Sequence, residues 1–372
     1  MFDPEVWSKV PFHFWSVTFF VFGCMVGSFL NVCIHRMPRG ESIVTPPSHC
    51  PACNYSIPWY LNVPLVTWLY LGGKCRNCGQ PFSIRYFLVE LLTGLFFLGC
   101  WLSFGGQSAW LALIYAGVIA GLIVATFIDA EHLIIPDELT FGGIAAGVLC
   151  SLLLPRLQGE TTLAGALRES LLGAVVGGGL IYFVVRMGKL FFGRHKLVLP
   201  VDTKIVFSET AVHLPDRDLP YEEIFYRQSD TIALHARTVE LVDRCYQDVV
   251  VRLSPTTLQI GEEKLDPETV PYMETVSTEI VVPREAMGLG DVKFMAAIGA
   301  FLGWQAVIFS LVVSSFIGAM VGLTMVVAGR RELSSRLPYG PYIAVAAVLW
   351  IFAGPDLVAW YRGIVLGLTG RG

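Results

Sequence analysis

The sequence predicts an all-α polytopic membrane protein of about eight transmembrane helices, with a cysteine-bearing loop and a small β-rich insert. Hydrophobic residues make up 54% of the 372 residues and charged residues only 15%, whereas a soluble domain carries about 25% charged residues. The mean hydropathy is +0.60, and apolar runs of transmembrane length recur along the chain. Burying this much apolar surface requires the lipid bilayer. The formal net charge of −4 gives no indication of nucleic acid as a partner.

Each predicted span is a mainly apolar run, and about 20 residues are needed to cross the hydrocarbon core. The N-terminal stretch lacks the basic region and cleavage site of a removable signal peptide, so the first run is expected to stay as an anchor. Gly303 and Trp304 are interpreted as the turn between a short sixth run and the seventh. The eight runs lie near 13–34, 86–103, 109–128, 138–155, 166–187, 291–303, 305–327 and 338–355.

Two polar segments interrupt the spans. The first contains two CxxC pairs, and the second has alternating, β-branched stretches such as "TKIVFS" and "DVVVRLS", which predict strands. The second contains no nucleotide-binding glycine loop or catalytic cluster, and it is interpreted as a regulatory or docking insert. The predicted divisions are a first helix in 1–34, a cysteine-bearing loop in 35–85, helices two to five in 86–189, the insert in 190–286 and helices six to eight in 287–372.

Basic residues predict the orientation, because loops rich in lysine and arginine stay on the cytoplasmic side. They concentrate in three regions of the chain. All three regions lie on the same side of the membrane if the N-terminus is outside and the chain crosses the membrane eight times. Both polar segments and the loop after the third span are therefore expected to be cytoplasmic. The residues are Arg36, Arg39, Lys74, Arg76 and Arg85, then Arg186, Lys189, Arg194 and Lys196, and then Arg330, Arg331 and Arg336.

Four cysteines form the pairs "CPAC" and "CRNC", separated by 21 residues. Each CxxC turn brings two sulfurs onto one ion, so the pattern predicts a tetrahedral zinc site, although the separation is slightly longer than usual. All four positions would be filled, which makes the zinc structural. A redox role is the alternative, and His49 could replace a cysteine as ligand. The predicted ligands are Cys50, Cys53, Cys75 and Cys78.

Two carboxylates lie against apolar runs where a charge is costly. Asp129 ends the third run, and Asp291 opens the sixth, two residues before Lys293. In the predicted topology both lie near the cytoplasmic ends of their spans, so they could meet at one depth. Gly288 and Gly290 permit unusual backbone angles and close approach of another chain.

Two carboxyls within hydrogen-bonding reach cannot both ionise cheaply, so one keeps a proton. Such a pair supplies a general base that activates water and a general acid that assists the substrate, as in aspartic proteases. Two unrelated carboxylates at span boundaries remain the alternative. Glu131, His132 and Glu138 are interpreted as interface residues, and Asp137, after Pro136, as a helix N-terminal residue.

The order of motifs resembles the bacterial type IV prepilin peptidase family, whose members are aspartic membrane proteases with a GxGD motif. "GSFLNVCIHRMPRG" is followed by the two CxxC pairs, then by "FIDAEHLIIPDELT" and "MGLGDVKFMAAIGAFLGW". The resemblance covers most of the membrane region and the first polar loop. The 190–286 segment is much longer than the connection expected in the family.

The resemblance implies that Asp129 and Asp291 are the catalytic pair, with Gly288, Gly290, Lys293 and Asp137 in support and Asp137 as a weaker catalytic candidate. It implies cleavage of type IV prepilins or type II secretion pseudopilins after a glycine, at the cytoplasmic face of the bacterial inner membrane. It also implies methylation of the new N-terminus from S-adenosylmethionine, at a site that the sequence leaves unknown. Asn31 and Arg36 match family positions.

Two other functions are weighed against this one. A proton-coupled transporter or channel component would place its acids near the bilayer midplane and would show inverted repeats, and no internal repeat is evident. A non-catalytic pilus assembly factor with a metal site would not need both aspartates and their glycines. Peptidase activity is therefore the favoured hypothesis.

Overall fold

The computed structural model describes residues 11–192, 194–225, 228, 230–283, 288–328 and 338–369. The chain divides into two compact units, Met1–Ile181 with Leu289–Gly372 and Tyr182–Gly288. The long helices are α1 (Phe12–Arg36), α2 (Arg85–Phe104), α3 (Ala109–His132), α4 (Asp137–Leu153), α5 (Leu163–Phe192), α6 (Leu289–Val327) and α7 (Gly340–Thr369). Short helical turns occupy Met37–Arg39, Trp59–Leu61, Val66–Tyr70 and Pro155–Gln158.

Among the described residues, five helices are long and apolar enough to cross a membrane, namely α1, α2, α3, α5 and α6. The α4 helix has only 17 residues. In α7 the segments Gly340–Gly354 and Asp356–Ile364 meet at 75° and together form one further candidate. A polytopic membrane protein is therefore confirmed, whereas a count of about eight spans is not.

The predicted sixth and seventh spans lie within the 39 residues of α6. Helical dihedral angles are interrupted there at Gly303, which has φ 80° and ψ 172°. Glycine adopts this left-handed φ without the steric cost of a Cβ. The predicted turn is therefore observed, because two helices meet in a kink at Gly303 and the second helix begins directly after it.

Small residues bring α1 and α2 into close contact. Gly23 and Gly27 are one turn apart on α1, and a Cβ on Gly27 would come within 2.7 Å of the Glu90 Cα on α2. A Cβ on Gly94 would in turn meet the sulfur of Cys24. Glycines spaced in this way let transmembrane helix backbones approach each other and gain van der Waals contact.

Glycines on α4 and α5 likewise let these two helices pack closely against the first half of α6. A Cβ on Gly147 of α4 would lie 2.8 Å from the Cβ of Ala300. On α5, a Cβ at Gly173 would meet the backbone of Gly299, and one at Gly177 the backbone carbonyl of Met295. The segment that begins with Asp291 is therefore held by backbone-to-backbone packing.

Replacing Gly177 by alanine is expected to destabilise the helix bundle by about 1–3 kcal/mol, because the new methyl meets backbone that cannot rotate away. Gly179, two residues along the same helix, is the matched control, since a Cβ there meets nothing within 4 Å. The measurement is the thermal unfolding midpoint of each purified variant in detergent. Equal midpoints for the two variants would contradict the packing described here.

The second unit is built around one antiparallel sheet, as the alternation in the sequence predicts. Within the described residues, its eight strands follow the order β3-β2-β1-β8-β4-β5-β6-β7. An apolar core, which includes Ile205, Leu234, Val251 and Ile280, lies against the sheet. The strands are β1 (Arg194–Phe207), β2 (Ala211–His213), β3 (Asp218–Pro220), β4 (Ile232–Glu240), β5 (Cys245–Ser254), β6 (Thr257–Ile260), β7 (Glu263–Leu265) and β8 (Met273–Pro283), with a helical turn at Tyr221–Ile224.

The chain enters and leaves this sheet on neighbouring strands. β1 pairs with β8 along its length, from Arg194 opposite Pro283 to Phe207 opposite Met273. A register shift between Val198 and Thr203 interrupts the pairing. The β-rich insert is confirmed as a compact unit with its own core.

Candidate active site and metal centre

Asp129 lies in the last turn of α3 and is only 6% exposed. Its Oδ2 accepts a hydrogen bond of 2.8 Å from the backbone N–H of Gly340, the first residue of α7. The N–H groups of a first helical turn lack intrahelical partners and carry partial positive charge, so they stabilise a carboxylate. A Cβ on Gly340 would lie 2.8 Å from the same oxygen. An alanine at this position would therefore require the Asp129 side chain to shift.

A hydrogen-bonding contact of the neighbouring residue also fixes the position of Gly340. The hydroxyl of Tyr339, the preceding residue, lies 2.8 Å from the Ser314 Oγ and 3.1 Å from the Ser315 Oγ, both on the second half of α6. The start of α7 is thus fixed between α3 and α6. Gly340 was not among the predicted site residues, although a Gly-Pro pair at the start of an apolar run indicates a defined helix start.

Asp291 is the third residue of α6 and is 8% exposed. Gly288 lies just before the helix and is exposed to solvent. Gly290 lies against Ile135, in the loop between α3 and α4, where a Cβ would come 3.4 Å from the Ile135 Cβ. A Cβ at this position would make an ordinary van der Waals contact, so the start of α6 packs against the loop that follows Asp129 without requiring glycine.

Lys293 and Asp137 form an ion pair across the same region, with 2.6 Å between the Lys293 Nζ and the Asp137 Oδ1. The Lys293 Nζ also lies 5.0 Å from the centre of the Phe141 ring. Asp137 opens α4 after Pro136, as expected for a helix N-terminal residue, and its side chain is largely exposed. This contact ties the start of α6 to the start of α4.

The ends of α3, α4, α6 and α7 therefore converge at one end of the bundle. Asp129 and Asp291 belong to this end and are both buried. Arg85, the first residue of α2, forms an ion pair with Glu131, which brings α2 to the same place. Such an arrangement can present two carboxyl groups to a polypeptide at a membrane boundary.

The four predicted metal ligands come together in the loop between α1 and α2. Their sulfur atoms all lie within 4.8 Å of one another. Cys50 and Cys78 are 3.8 Å apart, and Cys53 and Cys75 are 4.0 Å apart. Sulfurs about 3.8 Å apart are what a tetrahedral ion with bonds of about 2.3 Å requires. The four thiols can hold a metal ion such as zinc.

Each CxxC pair forms the same small hairpin. The Cys50 N–H donates to the Tyr55 carbonyl at 3.0 Å, and the Asn54 N–H donates to the Cys50 carbonyl at 2.8 Å. In the second hairpin, the N–H groups of Cys75 and Gly79 make the equivalent bonds, to the carbonyls of Gln80 and Cys75. Asn54 and Gly79 both have positive φ, which lets each turn close.

Hydrogen bonds favour the charged form of the Cys53 and Cys75 sulfurs. The Asn77 side chain donates to the Cys53 Sγ at 3.6 Å, and this bond, followed by one from the Tyr55 backbone, lowers the pKa of Cys53 to about 7. Backbone N–H groups of Cys78 and Asn77 lower the pKa of Cys75. The Gln80 backbone N–H lowers the pKa of Cys78, but burial and the hydrogen bonds with the other three cysteines outweigh it and raise that pKa to about 11. His49 stands outside the cluster, with its Nδ1 3.0 Å from the Pro47 carbonyl oxygen.

Family comparisons agree with this arrangement. Residues 21–104 match the bacterial peptidase A24 N-terminal domain, and residues 116–199 and 271–323 match the type IV leader peptidase family. The unmatched stretch between 199 and 271 falls within the β-rich insert. No solved structure gives a significant match to the chain.

Curated relatives resemble nearly the whole chain. A prepilin leader peptidase/N-methyltransferase of Myxococcus xanthus is 31% identical, over 95% of this chain and 78% of that protein. Proteins of the same name from Aeromonas hydrophila and Pseudomonas aeruginosa are 27% and 26% identical, and the matches span 96% and 91% of this chain and 97% and 90% of the relatives.

The apolar helices indicate a multi-pass membrane protein with a four-cysteine loop and an inserted β-domain, and the matched family is one of peptidases. The chain belongs to the type IV leader peptidase family. The resemblance inferred from the sequence motifs is thereby confirmed.

Proposed function

We propose that the chain is a membrane aspartic endopeptidase that removes the leader of type IV prepilins or type II secretion pseudopilins after a glycine. It then methylates the new N-terminal residue. Family membership supports this function. The observation that carries the site is the burial of Asp129 and Asp291 at one end of the bundle, each at the end of a helix.

In the proposed reaction, one carboxylate accepts a proton from water as the water oxygen attacks the scissile carbonyl carbon. The other carboxyl, which is protonated, donates its proton to the leaving nitrogen as the C–N bond breaks. The Gly340 N–H holds one oxygen of Asp129 and thereby fixes the direction of its second oxygen. Asp129 and Asp291 are thus positioned by the contacts of Gly340 and Gly290.

We place this end of the bundle at the cytoplasmic face of the bacterial inner membrane. The loop between α1 and α2 carries Arg39, Lys74 and Arg76, and the positive-inside rule assigns such a loop to the cytoplasm. The break at Gly303 supports counting α6 as two spans, which gives eight in total with α4 and α7. The four-cysteine cluster would bind zinc as a structural ion that stabilises this loop.

The substrate chemistry fits this location. A prepilin joins a short basic leader to an apolar helix, so its scissile bond lies at the membrane surface when the helix is in the bilayer. The aspartates at helix ends suit that depth, whereas a proton-relay transporter would place its acids nearer the midplane. S-adenosylmethionine would supply the methyl group.

The test uses the purified full-length chain, a prepilin and S-adenosylmethionine, with intact mass spectrometry as the readout. The expected product has lost the leader and gained the mass of one methyl group. A prepilin in which a bulky residue replaces the glycine before the junction is the control, and it is expected to stay uncut. Cleavage at any other bond, or no cleavage of the natural junction, would contradict the proposal.

Replacing Lys293 by methionine is expected to lower the cleavage rate by less than about tenfold, because an exposed ion pair contributes only about 0–1 kcal/mol. Asp137→Asn removes the other partner and is expected to give a similar loss. The double variant should be no slower than either single variant, since both remove one interaction. Initial rates of leader release measure all three. Complete loss of cleavage in Asp137→Asn alone would instead make Asp137 a catalytic residue.

A further inference from the structure

The stretch between the two CxxC hairpins is apolar and carries no charge. Glu41 and Lys74 are consecutive charged residues, so 42–73 contains no Asp, Glu, Lys or Arg. Its most apolar part is the run "IPWYLNVPLVTWLYLGG", residues 57–73. This run contains two prolines and forms only the short helical turns Trp59–Leu61 and Val66–Tyr70, so it does not cross a bilayer as a helix. An uncharged, aromatic-rich run that does not span is typical of a segment at the membrane interface.

Large apolar and aromatic side chains of this run are exposed at its surface. Val66, Leu69 and Tyr70 are three and four positions apart on one helical turn, so they share a face. Their exposed fractions are 61, 63 and 80%. Single exposed apolar residues are ordinary, whereas several in one segment indicate a surface that contacts a partner. The exposed set is Trp59, Tyr60, Val63, Val66, Leu69 and Tyr70.

Two contacts place this segment beside the first turns of α2. The Trp68 ring packs against the Phe87 ring, with 5.2 Å between their centroids. The Oε2 of Glu90 accepts a 2.8 Å hydrogen bond from the Leu65 N–H. Phe87 and Glu90 follow Arg85, the first residue of α2, by two and five residues, which is about 3 and about 7.5 Å along the helix axis. The segment therefore lies alongside a membrane span and not beyond its end.

The side chains that α2 exposes at this level are apolar as well. Ile84, just before the helix, is 57% exposed, and Leu88, one turn along it, is 48% exposed. Because α2 is long and apolar enough to cross a membrane, its exposed apolar side chains are expected to face lipid. The exposed face of Val66–Tyr70 lies at the same level, so the bilayer is the surface that covers it.

The backbone of the segment has the internal pairing that contact with lipid requires. An N–H that faces hydrocarbon has no water to bond with, so it needs a partner within the protein. At least seven of the N–H groups in 65–73 have such a partner, and the Gly73 N–H, for example, donates to the Trp68 carbonyl at 2.9 Å. Pro58 and Pro64 have no N–H to pair. An ordinary solvated loop would leave more of these groups to water.

The two CxxC hairpins hold the ends of the segment together. The Cys53 and Cys75 sulfurs are 4.0 Å apart, so the 21 residues between them form a closed loop. Lys74 and Arg76, at one end of this loop, are exposed. Basic side chains at the edge of an apolar surface are attracted by anionic lipid headgroups. The charge pattern therefore fits a bilayer that contains anionic lipid.

We propose that residues 57–73 form an interfacial anchor in the headgroup region of the leaflet where α2 begins, with Leu69 and Tyr70 in contact with lipid. Tryptophan and tyrosine suit this depth, because their rings are apolar while their N–H and O–H groups reach water. The anchor explains why the CxxC pairs are farther apart than is usual for a zinc site, since the additional chain reaches the bilayer. It is independent of the proposed catalytic function and requires only that α2 crosses the membrane.

The test uses the full-length chain in nanodiscs of phosphatidylglycerol and phosphatidylethanolamine, with the photoreactive residue p-benzoylphenylalanine in place of Leu69 or Tyr70. Leu95, which is 50% exposed in the middle of α2, is the lipid-facing control position. Val242, which is 86% exposed beside Asp243 in the insert, is the water-facing control. Lipid adducts, measured by mass spectrometry, are expected at both test positions in yields at least about tenfold above that at Val242 and close to that at Leu95.

Three results would overturn the anchor. They are lipid yields at Leu69 and Tyr70 no higher than at Val242, adducts only with a second copy of the chain, and adducts with an added prepilin in place of lipid. Each of these leaves the proposed peptidase function standing, because that function is measured separately by leader release.

A second measurement tests which face of the segment meets the bilayer. Leu69→Glu places a carboxylate on the proposed lipid face, and it is expected to lower the lipid-adduct yield at position 70 by at least about fivefold. Val242→Glu is the matched control, because it introduces the same charge at an exposed position of the insert. It is expected to leave the yield at position 70 unchanged. Equal yields at position 70 in the two variants would show that Leu69 does not face lipid.

Discussion

Replacing Asp129 or Asp291 by asparagine is expected to slow leader cleavage by at least about a thousandfold, because each change removes a general acid or base from the proposed pair. An asparagine at 129 can still accept the Gly340 N–H through its amide oxygen, so the local packing should persist. Initial rates of leader release from a prepilin, followed by intact mass, measure the effect.

Two controls make this result specific. Glu138→Gln changes an exposed carboxylate at the start of α4, and it is expected to cut at close to the wild-type rate. A pre-cleaved pilin is expected to be methylated by both aspartate variants, because the two carboxyl groups are proposed to act only in cleavage. If either variant cut prepilin at the wild-type rate, that aspartate would not be catalytic, and Asp137 would be tested in its place.

Replacing Cys50 by serine is expected to remove zinc and to unfold the loop between α1 and α2. The four sulfurs are the cluster's proposed ligands, and binding of a structural zinc contributes about 10–16 kcal/mol in small zinc domains. Elemental analysis should find a single zinc ion per wild-type chain and a strongly reduced content in the variant. Limited proteolysis should cut the variant within 35–85 much faster than wild type.

The matched control is Cys245→Ser, which replaces an exposed free thiol on β5 of the insert. It is expected to keep both the zinc and the protease resistance of the loop. A wild-type chain that contains no zinc and forms reversible disulfides within the CxxC pairs would favour the redox alternative. The hairpin geometry would then serve thiol exchange rather than metal binding.

The sequence alone predicted much of this architecture, because lipid imposes both length and composition on a span. The runs at 86–103 and 109–128 correspond closely to α2 and α3. The number of spans was harder to predict, since the apolar composition of α6 is continuous through Gly303. An apolar run has the same hydropathy profile whether it forms one helix or two helices that meet at a kink.

The site was predicted in part, for a related reason. Asp129 and Asp291 are conspicuous because each is a charge beside an apolar run. Gly340 could not be predicted because its role is a backbone hydrogen bond to a residue 211 positions earlier. Such a long-range contact leaves no pattern in the neighbouring sequence. The ion-pair partner of Lys293 could likewise not be predicted from the local sequence. Pro136 did predict that Asp137 begins a helix.

The pairing of β1 with β8 has an evolutionary consequence. Arg194 and Pro283 are partners across the two strands, and antiparallel partners lie only about 5 Å apart. The flanking chain therefore departs and returns at almost one point, so a gene encoding a short connection could acquire this module by a single insertion without rerouting the polypeptide. Loss of the module by the reverse event would be equally simple, because the two ends of the remaining chain would already lie side by side.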